Sequence, residues 1–129
     1  MLKFTLIVLG GGIGAVFRHL LFIVVQNSTK VDFPAGTLTV NLLGSFAIGL
    51  LWCLLEGAKI SPELRFFIFT GVLGGFTTFS TFARETMQLF KVGEWKTALV
   101  YAGASNIFGV LLVFAGYFVA KNLLIALKG

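Results

Sequence analysis

The sequence predicts an all-α integral membrane protein with four transmembrane helices in a single domain. Of the 129 residues, 57% are hydrophobic and only 12% are charged, against roughly 25% charged in a typical soluble domain. Four stretches carry no charged residue, at 4–17, 33–55, 66–83 and 97–120. Because a spanning helix needs about 20 predominantly apolar residues, four spans fit. The remaining loops are too short for a soluble catalytic or nucleotide-binding domain.

The first two spans are expected at about residues 2–26 and 36–56. A signal peptide would also begin with a lysine and an apolar run, but this apolar pattern continues beyond residue 20 without a convincing cleavage site. Within the first span, Gly10 and Gly14 have the four-residue spacing that lets membrane helices approach closely. Pro34 suits the entry of the second span, because proline lacks a backbone donor and fixes φ.

The third span, at about residues 62–90, contains a cluster of small and hydroxyl residues at membrane depth. Ser61 is its expected N-cap, followed by proline at the first helical position. The cluster comprises Gly71, Gly74, Gly75, Thr77, Thr78, Ser80 and Thr81. We predict that it breaks the helix near Gly74 to Thr78, which frees carbonyl oxygens that suit a hard alkali cation. A channel, a carrier and a simple kink at a dimer crossing all remain compatible with such a break.

The fourth span is expected at about residues 95–120, so both termini lie on one side of the membrane. Lysine and arginine are balanced between the two sides: Lys3, Lys59, Arg65, Lys121 and Lys128 against Lys30, Lys91, Lys96 and, if they lean that way, Arg18 and Arg84. The positive-inside rule then gives no preferred orientation, and we hypothesise an antiparallel, dual-topology homodimer. Because the basic residues are scattered singly, they do not indicate nucleic-acid binding.

Few residues offer catalytic or metal-binding chemistry. A lone cysteine, Cys53, excludes an internal disulfide, and a lone histidine, His19, cannot form a His/Cys metal cluster by itself. We interpret His19 as an interfacial side chain and assign it no role. Since no nucleophile with a base and an orienting group is present, the chain is predicted not to be an enzyme.

Two polar side chains in the spans have both a structural and a functional interpretation. Arg18, toward one end of the first span, either snorkels to the interface or attracts anions into a water-filled vestibule. Asn41 must find partners, since an unsatisfied amide in hydrocarbon costs several kcal/mol. It either bonds to another helix or donates to a permeating anion.

Phe79 and Phe82 lie three residues apart and therefore share a helical face. At helical spacing, two phenylalanines are usually packing residues. Aromatic rings nevertheless have an electropositive edge, which stabilises a small anion without a fixed charge that would trap it. The neighbouring hydroxyls of Ser80 and Thr81 are suited to donate hydrogen bonds to the same anion.

Three motifs stand out along the chain: GGIGAVFR at 11–18, NLLGSF at 41–46 and GGFTTFSTF at 74–82. In these motifs, and over essentially its whole length, the chain resembles the Fluc (CrcB) family of fluoride channels. The resemblance implies a passive, fluoride-selective channel that exports fluoride across the inner (plasma) membrane as an antiparallel homodimer with two pores. It also implies a structural sodium ion at the dimer interface, held by the backbone carbonyls of Gly74 and Thr77.

The same resemblance assigns the pore. The fluoride path is expected to be lined by Asn41, Phe79, Phe82, Ser80, Thr81, Tyr101 and Ser105. Arg18 is expected in an aqueous vestibule and Glu85 near the other end of the path. His19 stands where the family often has a tyrosine. This departure lies outside the pore motifs and leaves them intact.

Two competing functions belong to other classes. Small multidrug resistance exporters are also four-span, dual-topology proteins, but they depend on a carboxylate in the first span, and residues 4–17 contain none. Glu85 lies in the wrong span for that mechanism. An accessory membrane protein is the second alternative, in which the polar residues only hold helices together. Whether the purified dimer conducts ions by itself separates this alternative from a channel.

Overall fold

The computed structural model describes residues 1–128 and consists of four long helices. They are α1 (Leu2–Ser28), α2 (Ala35–Glu56), α3 (Pro62–Lys91) and α4 (Trp95–Lys128). Each is long and apolar enough to cross a membrane. The architecture agrees with the predicted four-span, all-α membrane fold. Alternating helix directions make α1 antiparallel to α2 and make α2 parallel to α4.

The start of α3 confirms the predicted cap. The Ser61 hydroxyl accepts a hydrogen bond from the Leu64 backbone N–H at 3.2 Å, and Pro62 occupies the first helical position. The turns of Phe66–Leu73 then widen into a π-helix, which the sequence did not indicate. We refer to residues 62–76 as α3a and to Phe79–Lys91 as α3b.

Close packing of α1 on α3a depends on the two glycines that the sequence singled out. A Cβ atom at Gly10 would lie 2.7 Å from the carbonyl oxygen of Phe67, and one at Gly14 would overlap the carbonyl oxygen of Val72. Both glycines are buried. The prediction that this spacing serves close helix approach is confirmed.

The parallel pair α2 and α4 packs in the same way. A Cβ atom at Gly49 would overlap the Val113 carbonyl, and one at Gly116 would overlap the Phe46 carbonyl. The helices thus lie in the spatial order α3a, α1, α2, α4. Near the start of α4, Tyr101 is fully buried.

Helix α4 continues to Lys128, beyond the expected end of its span at residue 120. Its 34 residues give a length of about 51 Å at 1.5 Å per residue, whereas the hydrocarbon core is about 30 Å thick. The last turns, which carry Lys121 and Lys128, therefore extend past the apolar part of a bilayer.

A two-residue interruption separates α3a from α3b. Thr77 and Thr78 have extended dihedral angles, with φ −82° and ψ 156° at Thr77 and φ −148° and ψ 114° at Thr78. The Thr78 hydroxyl then caps α3b by accepting from the Thr81 N–H at 3.3 Å. The joined helix bends by only 16°. The predicted break of the third span is therefore not confirmed. Helix α3 is nearly straight, and its backbone leaves the helical conformation only at Thr77 and Thr78.

Candidate functional site

Asn41 of α2 clamps the interruption in α3. Its side-chain Nδ2 donates to the Thr78 carbonyl at 2.9 Å, and its Oδ1 accepts from the Thr78 N–H at 2.8 Å. The half-buried amide therefore replaces the backbone partners that Thr78 lacks outside a helix. This is the interhelical hydrogen bond that was one of the two interpretations of Asn41. Since Nδ2 carries two hydrogens, one further donor remains on the same nitrogen.

The clamp also changes the hydrogen bonding of two backbone carbonyls in α3. In an uninterrupted helix the Thr78 N–H would donate to the Gly74 carbonyl, but here it donates to Asn41. The Thr77 carbonyl would accept from the Thr81 N–H in a continuous helix, but that N–H donates to the Thr78 hydroxyl. The Thr77 carbonyl accepts from Nη1 of Arg18 at 3.4 Å. Carbonyl oxygens without helical donors are hard ligands that suit an alkali cation, so Gly74 and Thr77 fit the sodium site that the resemblance implies. The hydrogen bond from Arg18 occupies one lone pair of the Thr77 oxygen, and a carbonyl oxygen has a second lone pair.

An open cavity of about 350 Å³, which we call the groove, lies beside the interruption. It brings together six of the predicted site residues: Asn41, Gly74, Thr77, Phe79, Phe82 and Ser105. The two phenylalanine rings have centroids 5.5 Å apart. Phe82 is 8% exposed, whereas Phe79 is 75% exposed. One ring therefore forms the floor of the groove and the other stands at its open side.

Ser105 of α4 contributes a hydroxyl that has no partner. Its Oγ atom is buried and makes no hydrogen bond within residues 1–128. An unpaired buried hydroxyl costs about 1–3 kcal/mol, and most such groups in proteins are paired. Ser105 is one of the residues that line the groove, so an uncommitted hydrogen-bond donor lies in its wall.

A second cavity of about 260 Å³, which we call the vestibule cavity, lies on the other side of the interruption. Arg18, Thr81 and Glu85 line it together. The resemblance placed Glu85 near the opposite end of the path from Arg18, whereas here both residues face one cavity. Thr78 lines both the groove and the vestibule cavity, so the two spaces adjoin at the interruption.

Glu85 is held from two helices. Its Oε1 accepts from the Thr37 hydroxyl of α2 at 2.9 Å, and its Oε2 accepts from the Tyr101 hydroxyl of α4 at 2.8 Å. The Tyr101 ring also packs edge-on against Phe82, with centroids 5.2 Å apart. Tyr101 thus connects the carboxylate beside the vestibule cavity to the phenylalanine at the floor of the groove.

The structure does not bring every predicted residue to a cavity. Ser80 is exposed and lines neither the groove nor the vestibule cavity. Tyr101 is fully buried and lines neither cavity, and its ring packs against Phe82. Sequence reasoning missed Thr37, although it precedes Asn41 by one helical turn and therefore shares its face. This four-residue spacing from Asn41 could have identified Thr37 as a site residue from the sequence.

Comparison with known proteins connects this geometry to a family. The family model described as "CrcB-like protein, Camphor Resistance (CrcB)" matches residues 5–117. The chain belongs to the CrcB family. The resemblance carried by the three motifs is therefore confirmed.

Curated CrcB relatives match the chain almost from end to end. A protein of Parabacteroides distasonis named "Fluoride-specific ion channel FluC" is 44% identical over 128 residues, covering 99% of this chain and 100% of the relative. Proteins with the same name from Thermus thermophilus and Aquifex aeolicus are 49% and 41% identical, each covering 91% of this chain and 94% and 95% of the relative. The relatives are named as channels, which confirms the prediction that the chain is not an enzyme.

Membership of the CrcB family, together with four apolar helices, makes the chain a multi-pass membrane protein. The three CrcB motifs meet at the site. Arg18 ends the first motif, Asn41 begins the second, and Thr77 and Thr78 lie within the third. The hydrogen bonds of Arg18 to Thr77 and of Asn41 to Thr78 therefore join all three motifs at the interruption.

Proposed function

We propose that this chain is a passive, fluoride-selective ion channel that exports fluoride across the inner (plasma) membrane and thereby confers fluoride resistance. The curated relatives indicate which ion is transported, because each is named for fluoride. The observation that carries the proposal for this chain is the unpartnered Ser105 hydroxyl in a groove shared with Asn41 and two phenylalanines. These groups offer hydrogen bonds to an anion without a fixed positive charge.

The groove suits a small anion that must move on. Ser105 and the second Nδ2 hydrogen of Asn41 are donors, and the edges of Phe79 and Phe82 are weakly electropositive. Donors of this kind replace part of the hydration shell of fluoride, while the absence of a charge pair keeps binding weak enough for release. Selectivity against a larger halide would come from the stronger hydrogen bonds that fluoride accepts from these donors.

The rest of the path follows from the adjoining cavity. Arg18 attracts anions into the vestibule cavity, and Glu85 is fixed beside it by Thr37 and Tyr101. Thr81 lines this cavity. The adjacent Ser80, which is exposed in the protomer, would join Thr81 in the polar track of α3b where the second copy covers that face. Fluoride would pass between the two cavities at Thr78, where they adjoin.

The functional unit in this proposal is an antiparallel homodimer with two pores. A lone protomer would expose the groove, with its backbone carbonyls and the 75% exposed ring of Phe79, at membrane depth. Non-helical backbone inside a bilayer is tolerated where it is buried in protein or lines water. A second copy covering the groove satisfies that condition, and the balanced charges on the two sides permit the inverted orientation.

A sodium ion at the dimer interface completes the proposal. The Gly74 and Thr77 carbonyls would hold it, since the N–H groups that would bond to them in a continuous helix donate to Asn41 and to the Thr78 hydroxyl instead. A bound sodium ion supplies a positive charge that stabilises the freed carbonyls. Within residues 1–128 no cluster of three His, Cys, Asp or Glu side chains offers a metal site, so backbone oxygens would provide the coordination.

The deciding experiment is fluoride efflux from proteoliposomes loaded with potassium fluoride and triggered by valinomycin. We expect rapid fluoride release measured by an electrode and no chloride release from matched chloride-loaded vesicles. Folded dimers that release neither ion would contradict the channel and favour an accessory role. Efflux that requires a counter-transported substrate would favour a carrier.

A further inference from the structure

The vestibule cavity contains two basic groups besides Arg18. His19 lines it from α1, next to Arg18, and Arg84 lines it from α3b. Among the described residues that line the cavity, Glu85 is the one carboxylate. The α2 contributions, Thr37 and Val40, carry no charge. The cavity is therefore a predominantly basic space at the entrance to the path.

Most of these groups already have a hydrogen-bond partner. Arg18 donates to the Thr77 carbonyl at 3.4 Å, and Arg84 donates to Oε1 of Gln88 at 3.1 Å. Both carboxylate oxygens of Glu85 are occupied. His19 is exposed, and its ring makes no side-chain hydrogen bond within residues 1–128.

The charge of the cavity depends on the protonation of His19. Arg18 and Arg84 contribute two positive charges and Glu85 one negative charge, which leaves one net positive charge when His19 is neutral. A protonated His19 raises the net charge to two. Histidine is the side chain whose charge generally changes between about pH 5 and 8, and a proton on His19 would double the net positive charge of the cavity.

We propose that His19 is a titratable anion-collecting residue, whose protonation raises the rate at which fluoride enters the vestibule cavity. This inference rests on the proposed channel function and adds a pH dependence to it. A charge at the mouth of a pore increases the local concentration of the opposite ion. One added charge at about 8 Å from the anion corresponds to a two- to threefold increase at low ionic strength.

The test is fluoride current across planar bilayers, recorded from pH 8 to pH 5.5 at low ionic strength. Electrical recording isolates the channel, because neutral hydrogen fluoride carries no current. The unaltered protein is compared with His19→Gln, which cannot be protonated, and His19→Arg, which is always charged. Both substitutions change an exposed side chain, so the dimer should remain folded.

We expect the current of the unaltered protein to rise two- to threefold as the pH falls. His19→Gln should remain at the level seen at pH 8, and His19→Arg at the level seen at pH 5.5. Salt of an impermeant anion at about 1 M should abolish the rise, since the Debye length then falls to about 3 Å.

Three results would overturn the role of His19: a flat profile in the unaltered protein, a rise that persists in His19→Gln, or a rise that survives high salt. A rise in His19→Gln would assign the titration to another group such as Glu85. Absence of fluoride current at every pH would instead overturn the proposed channel function, and is distinguishable from all three.

Discussion

The hydroxyl of Ser105 is a group whose removal is expected to move stability and function in opposite directions. Removing an unpaired buried hydroxyl relieves its desolvation cost, so Ser105→Ala should unfold at the same temperature as the unaltered protein or slightly higher. Loss of a hydrogen bond to a charged ion, about 1.5 kcal/mol, should lower fluoride flux about tenfold.

Thermal unfolding in detergent and liposome efflux measure the two effects on one preparation. Ser28→Ala is a matched control, because Ser28 is exposed at the end of α1 and bonds to Val24. Its flux should be unchanged. Ser105→Ala with full flux would remove this hydroxyl from the path.

Phe82 is the second residue with a distinct expectation. Phe82→Ile keeps an apolar side chain at the floor of the groove but removes the aromatic edge and its contact with Tyr101. We expect fluoride flux to fall at least tenfold, with a loss of stability of about 1–3 kcal/mol from imperfect repacking.

A control at another phenylalanine separates the aromatic edge from general packing. Phe118 on α4 is 53% exposed and lines neither the groove nor the vestibule cavity. Phe118→Ile should conduct normally in the efflux assay. Equal flux through Phe82→Ile and the unaltered protein would show that this ring is only a packing residue.

At the scale of elements, the clamp between α2 and α3 is the contact that holds the interruption in place. Asn41→Asp replaces the Nδ2 donor by an oxygen that faces the Thr78 carbonyl. We expect a loss of about 1–3 kcal/mol of stability, since the carbonyl loses its partner, together with loss of fluoride flux.

The matched control is Asn122→Asp, at an exposed position in the last turns of α4. It makes the same chemical change outside the site and should leave both the melting temperature and the efflux rate unaltered. If Asn41→Asp behaved like this control, the clamp would not determine the local structure of α3.

The packing of α1 on α3a gives a second prediction at this scale. Gly14→Ala adds a Cβ atom that overlaps the Val72 carbonyl, and overpacking of this kind costs typically about 1–3 kcal/mol. Gly12 lies two residues earlier with nothing within 4 Å of an added Cβ. Gly12→Ala should therefore be neutral or stabilising by up to about 1 kcal/mol.

Thermal unfolding of the two alanine variants decides between them. The expected order of melting temperature is Gly12→Ala, then the unaltered protein, then Gly14→Ala. Equal melting temperatures would mean that the helices separate at little cost, contrary to the contact of Gly14 with α3a.

For the molecule as a whole, the balanced charges predict insertion in both orientations. Accessibility labelling of a tag at the C-terminus in sealed cells should give about equal modification from the two sides of the membrane. A variant with two lysines added to the 57–61 loop should become biased to one side. A single fixed orientation of the unaltered chain would rule out the antiparallel dimer.

The sequence was sufficient for features that depend on local or bulk chemistry. Four apolar stretches predicted the four helices, and Ser61 predicted the cap that starts α3. It was insufficient where a tertiary contact decides. The widened turns of Phe66–Leu73 pack against α1 at Gly10 and have no signal in the sequence. Glu85 meets Thr37 and Tyr101 only after three helices assemble. The end of α4 was predicted at residue 120, eight residues too early, because hydropathy indicates where the chain leaves the bilayer and not where the helix ends.

The parallel pairing of α2 with α4 has a consequence for biosynthesis. Gly49 reaches its neighbour Val113 only after about 60 further residues have been made, which at 5–20 residues per second takes roughly 3–12 s. During that interval the nascent α2 can pack against α1, but its surface around Gly49 has no partner helix. Helix α4, the last of the four to be made, therefore completes the packing of α2. A chain that terminates before α4 would leave this surface of α2 exposed to membrane quality control.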